Sequence, residues 1–187
     1  MIRRTLAGAL LLVVGVVAFA QRHRRDPLTD PEVDQIRDAA MEPEIRLKLY
    51  IEFARARLDK LQQAHSDPKA TDRDQQTRAA IQDFADVYDE LNVNVDTFAD
   101  RGEDLRKALK PVIEADTEFG SKLRAFKSLL TKQEAEGYEF LLGSALEAVD
   151  AGAKDHRDLL AEQEEAFKHK KKQEHKVVAP RPEQGKG

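Results

Sequence analysis

The residues able to do chemistry are few, and their spacing argues against most chemistry. The five histidines are His23, His65, His156, His169 and His175, and none has a glutamate three residues before it. The inward Glu-x-x-His pairs that hold two metal ions in a helical bundle are therefore missing. A haem held by methionine and histidine would need Met41 to face His156, a pairing with little to support it. Ser66, Ser121, Ser128 and Ser144 sit in no Gly-x-Ser-x-Gly context, and no glycine-rich phosphate loop occurs. With no cysteine, thiol catalysis, cysteine-ligated metals and disulfides are excluded. No catalytic residue, cofactor site or metal site is expected, and the chain reads as non-enzymatic.

Three polar features remain. Asp83, Asp86, Asp89, Glu90, Asp96, Asp100, Glu103 and Asp104 crowd one stretch, and Asp96, Asp100 and Glu103 are spaced closely enough to hold a cation. All eight fall at outward positions of the helical repeat described below, so a solvated acidic face is the expectation. Asp116 instead takes an inward position between Val112 and Phe119. A buried carboxylate needs a partner, and Lys122, Arg101 and Arg157 are the candidates for a structural ion pair. A local opening of the core is the alternative, and no catalytic role is expected. Lys168, Lys170, Lys171, Lys172 and Lys176 close the last helix. Cations there suit the helix dipole, and they also form a possible docking element for an acidic protein or an anionic envelope surface.

The elements that must position these groups are helices. From Ile81 the apolar positions Phe84, Tyr88, Leu91, Val95 and Phe98 alternate steps of three and four. The rhythm passes Gly102 and continues through Leu105, Leu109, Val112, Asp116, Phe119, Leu123, Phe126 and Leu130. Such spacing makes one apolar helical stripe. Because the phase survives Pro111, the expectation there is a kinked helix, or a tight break with the two helices nearly in line, and not a reversal of the chain. A second stripe carries Leu47, Ile51, Ala54, Leu58 and Leu61, widened by Ile45, Leu49 and Phe53. A third carries Tyr138, Leu142, Ala145, Val149, His156, Leu160 and Phe167.

The boundaries have local causes. Thr29-Asp30-Pro31 starts a first helical segment, since proline's missing donor is harmless in the first turn. That segment runs to about Met41, where Pro43 kinks or restarts it. His65-Ser66-Asp67-Pro68 ends the second stripe, Thr71 with Asp74 caps the central helix, and Thr131 with Glu134 forms a capping box. No alternating strand pattern occurs. The expected fold class is all-α: an elongated, antiparallel, coiled-coil-like bundle of about three long helices, spanning 31–65, 72–110 and 131–168. Residues 111–130 would be an additional segment.

The ends of the chain differ from its body. Arg3 and Arg4 precede an uncharged run from Thr5 to Ala20 that closes on Ala18-Phe19-Ala20. Sixteen helical residues span only about 24 Å, short of a bilayer core. A cleaved export signal over 1–20 is expected, with an uncleaved membrane anchor as the alternative, because Arg22, Arg24 and Arg25 follow at once. Residues 21–30 then form a basic linker, 31–167 the helical domain and 168–187 a basic tail, largely disordered. The tail carries a net +5 and residues 26–167 a net −14. An acidic body with basic ends is a poor nucleic-acid binder. The composition points to a periplasmic or secreted interaction protein of a bacterial envelope. A holdase-type chaperone of that compartment is the alternative, and the oligomeric state is open.

Overall fold

The computed structural model describes residues 27–67 and 71–178, with side chains placed as far as residue 169. The expected export signal and most of the basic linker lie outside the described residues. Five helices follow in order: α1 (Asp30–Asp38), α2 (Pro43–Ser66), α3 (Arg73–Asp100), α4 (Arg106–Leu129) and α5 (Lys132–Val178). The described residues contain no strand, and none of their helices is long and apolar enough to cross a membrane.

The boundaries arise locally. Glu32 Oε2 accepts hydrogen bonds from Thr29 N at 2.8 Å and Thr29 Oγ1 at 3.0 Å, tying down the first turn of α1. At α5 the box is reciprocal, with Thr131 N donating to Glu134 Oε2 and Glu134 N donating to Thr131 Oγ1. Pro43 opens α2, where a missing donor costs nothing. Pro111, six residues into α4, does not interrupt that helix.

The expected long central helix is instead two. The chain leaves the helix at Gly102, whose φ of +74° is left-handed and suits glycine. Gly102 N donates to Ala99 O at 2.8 Å and Glu103 N to Phe98 O at 3.1 Å, the crossed pair of bonds of a Schellman motif. The expected three long rods thus become four, with α1 as a short fifth helix. The break preserves the rhythm: Phe98 before it and Leu105 after it are both buried.

Partner residues define how the helices pack. Lys60 pairs with Asp83 and Arg46 with Asn94, so α2 and α3 are antiparallel. Arg124 with Asp150 and Leu105 with Gln163 show the same for α4 and α5. Arg55 with Glu118 and Asp59 with Lys122 make α2 parallel to α4, and Arg73 with Glu134 and Tyr88 against Gly152 make α3 parallel to α5. Backbones approach closely around the ring α2–α3–α5–α4, whereas α3 and α4 stand diagonally opposite. The α3–α4 connection, 101–105, therefore crosses the end of the bundle. Across the centre Phe84 and Tyr88 of α3 meet Phe119 of α4 edge-on, with centroids 5.5 and 6.2 Å apart. Fully burying each such aromatic contributes about 1.5–3 kcal/mol.

One core runs the length of the bundle. Nearly every member of the three stripes is buried or half-buried. Ile45 and Phe167 depart from their expected inward places and are 48% and 47% exposed. α1 packs on α2 alone, with Ile36 buried and Glu32 gripped by Arg57 through two bonds of 2.8 and 2.6 Å. α5 outruns its neighbours. The basic segment expected to be largely disordered is helical as far as Val178, and 179–187 lie outside the described residues.

Two outcomes check this account. A Cβ at Gly102 would meet nothing within 4 Å, so Gly102→Ala tests conformation alone. It should cost about 1 kcal/mol. Gly143→Ala, inside α5 and equally unobstructed, should instead gain up to about 1 kcal/mol in urea melts. The second outcome concerns acid. Arg55, bonded to Glu118, and then Lys122 draw the Glu118 carboxyl from the ordinary 4.5 down to about 2. A depressed carboxylate contributes stability above its ordinary value and loses it as pH falls through the folded value. The stability advantage of the wild type over Glu118→Gln should therefore shrink between pH 4.5 and 2 in acid melts.

Candidate functional site

The most unusual chemistry lies in the core, where three helices meet. Asp116 on α4 is 1% exposed. Tyr88 Oη on α3 donates to its Oδ1 at 2.8 Å, and His156 Nδ1 on α5 lies 2.9 Å from its Oδ2. A carboxylate oxygen offers only acceptance, so the proton in the second contact belongs to Nδ1. Each carboxylate oxygen thus has a buried partner from a different helix. Burial above all, and then the Asp116 charge, push the Tyr88 phenol well above the ordinary tyrosine range. The hydroxyl stays a donor.

Asp116 was expected to find a cation, and here the structure corrects the choice of partners. Lys122 binds Glu118 and Asp59 on the outer side of α4, Arg101 lies over the Phe98 ring, and Arg157 is exposed. Tyr88 and His156 were legible as inward residues of their own stripes. Their meeting was not, because it depends on which helices become neighbours.

Gly152 makes room for the trio. A Cβ there would sit well inside contact distance of Tyr88 Oη and 3.2 Å from Asn92 Oδ1. The missing side chain lets α5 close onto the Tyr88 hydroxyl. Outside this point a groove of about 530 Å³ runs between α3 and α5. Its walls carry Asp89, Asp96, Asp100 and Asp155, with Ala151 and Gly152 along the α5 side and His156 at its edge. Asn92 Oδ1 is buried there without a hydrogen-bond partner among the described residues.

The expected acidic face is thus partly a groove wall, with Asp96 and Asp100 together and Glu103 in the connection beyond them. No group of three or more His, Asp or Glu among the described residues has an arrangement able to hold a metal ion. Met41 is 81% exposed in the connection between α1 and α2, whereas His156 is buried.

The basic docking candidates fall at the other end of α5. Gln163 Oε1 accepts from Leu105 N at 2.8 Å while Gln163 Nε2 donates to Glu103 O at 3.0 Å. One turn on, the Arg106 guanidinium stacks 3.7 Å above the Phe167 ring. These contacts clamp α5 to the α3–α4 connection. Lys168 follows, exposed and paired with Glu165. Lys170, Lys171, Lys172 and Lys176 lie on the helix that continues to Val178. Comparison with family models, with curated proteins and with solved structures finds no match for this chain.

A double-mutant cycle tests the trio. Tyr88→Phe removes a buried donor, and Gly152→Ala forces a methyl against the hydroxyl. Each should cost about 1–3 kcal/mol. The double variant should be at least about 1 kcal/mol better than the sum, because the clashing oxygen is gone. Additive costs in urea denaturation would show that Gly152 is not there to admit the Tyr88 hydroxyl.

Proposed function

We propose that this chain is an exported, non-enzymatic helical interaction protein of the cell envelope, whose work is to bind another macromolecule. The observation that carries the reading is the clamped continuation of α5: a lysine-rich helix leaving the end of an acidic four-helix body. Holding a buried carboxylate between Tyr88 and His156 serves rigidity, and both oxygens of Asp116 are already engaged. That favours a structural role for the trio over an acid or base acting on a substrate. Export rests on the Thr5–Ala20 pattern, with cleavage after Ala20 and an anchored, extracytoplasmic body as the alternative.

A holdase-type chaperone of the periplasm is the second reading. Leu129, 71% exposed, and Phe140, 83% exposed, favour it, since both lie toward the end of the bundle opposite the lysines. A client-binding surface needs such apolar groups open.

One experiment in cells separates the readings. Photo-crosslinkers placed along 168–178 should yield discrete adducts with an envelope component. Crosslinkers at Leu129 and Phe140 should yield few. A broad ladder of unfolded proteins from Leu129 and Phe140 would favour the chaperone. Mass spectrometry of the same material should find Gln21 at the N-terminus. An intact Met1 would favour the anchor, and recovery from the cytoplasm without adducts at either end would overturn the proposal.

A further inference from the structure

We propose that the helical continuation of α5 docks on an anionic phospholipid bilayer, holding the acidic body away from the surface. This names the partner for the interaction reading above and rests on it. Residues 168–176 hold five lysines and two histidines against one glutamate. On the helix that the chain forms here, the steps from Lys168 to Lys171, Lys172 and Lys176 are three, four and eight residues. Those steps place four lysines on one stripe, with Lys170 on the other side.

The geometry selects a surface over a polyanion that wraps. Beyond Phe167 the neighbouring helices have ended: α3 stops at Asp100, α4 begins at Arg106, and Arg106 already faces Phe167. Eleven further residues, 168–178, extend the helix by about 16 Å at 1.5 Å per residue. That is about twice the screening length of roughly 8 Å at physiological ionic strength. Lys171, Lys172 and Lys176 on the outer turns can therefore enter the negative potential of a membrane while most of residues 26–167, net −14, stays outside it, with Lys168, paired with Glu165, at the boundary. A nucleic acid or a large acidic protein folding around the tip would meet that charge directly. The clamp of Gln163 on the α3–α4 connection and of Arg106 on Phe167 fixes where the continuation leaves the body, so the body's orientation is transmitted to the surface.

The test is vesicle co-sedimentation of the protein as recovered from cells, with whatever N-terminus it carries. Vesicles of one-third phosphatidylglycerol in phosphatidylcholine are compared with pure phosphatidylcholine. Because Arg22, Arg24 and Arg25 and any retained apolar run are common to all variants, the read-out is each variant's anionic-over-neutral ratio relative to wild type. Each lysine near an anionic surface contributes roughly five-fold. Replacing Lys168, Lys171, Lys172 and Lys176 with Gln should thus lower the ratio by roughly several hundred-fold, and Lys170→Gln by far less. Helicity and melting temperature should hold in both variants, since these positions lie beyond the core. Equal ratios for wild type and the four-lysine variant would overturn the lipid inference, as would equal losses from Lys170→Gln alone. Single-stranded DNA bound more tightly than the anionic vesicles would overturn it too. If vesicle binding fails while crosslinks from 168–178 still reach one envelope protein, the interaction reading stands and only the lipid partner falls.

Discussion

A carboxylate buried among aromatic and aliphatic side chains constrains everything around it. Asp116 is almost fully enclosed, and leaving such a group without partners would cost several kcal/mol. Its two oxygens require donors from two directions, and Tyr88 and His156 supply them from α3 and α5. The requirement reaches further than the hydrogen bonds. α5 must approach Tyr88 closely, so Gly152 carries no side chain, and the α3–α5 seam must be narrow at that level. An apolar core tolerates small rotations of its helices. A carboxylate with two fixed donors does not, and it pins three of the four long helices in one arrangement.

The order of the helices around that carboxylate follows from one short connection. Residues 101–105 join α3 to α4 across the diagonal instead of around the edge. Tyr88 and Asp116 therefore face each other through the centre, flanked by the edge-on contacts of Phe84 and Phe119. Large rings suit a diagonal pair, because they bridge a distance that backbones do not close. The outer seams are held differently. Arg55 with Glu118 and Arg124 with Asp150 are partly exposed, and pairs of that kind contribute up to about 1 kcal/mol each. The seams select neighbours, while the centre supplies the stability.

Charge is distributed along the molecule as sharply as polarity is distributed across it. The body is acidic, with several of its carboxylates along the α3–α5 groove, and the lysines gather where α5 leaves the bundle. The same helix therefore serves two purposes along its length: packing through His156 and the turns before it, then a cationic rod beyond Phe167. Gln163 marks the change. Its side chain satisfies the carbonyl of Glu103 and the amide of Leu105, groups that the reversal at Gly102 leaves outside regular helix.

The sequence by itself determined the all-helical class, the ends tied by Thr29 with Glu32 and Thr131 with Glu134, and most of the residues each helix would bury, because those depend on spacing and local chemistry. The expected cap of Thr71 with Asp74 does not form, since α3 begins at Arg73 and Asp74 pairs with Arg78. Tyr88, Asp116 and His156 were all legible as inward positions, and Leu105 kept its phase across the break. Periodicity could not say that the chain turns back at Gly102. A stripe that resumes in phase after five residues looks the same whether the helix continues or reverses, and Pro111 drew attention to a place where nothing breaks. Only the tertiary structure decided that α3 and α4 lie on a diagonal, and hence that Asp116 meets a phenol and an imidazole instead of Lys122, Arg101 or Arg157. Partner choice for a buried charge is a property of which faces meet, and long-range packing sets that.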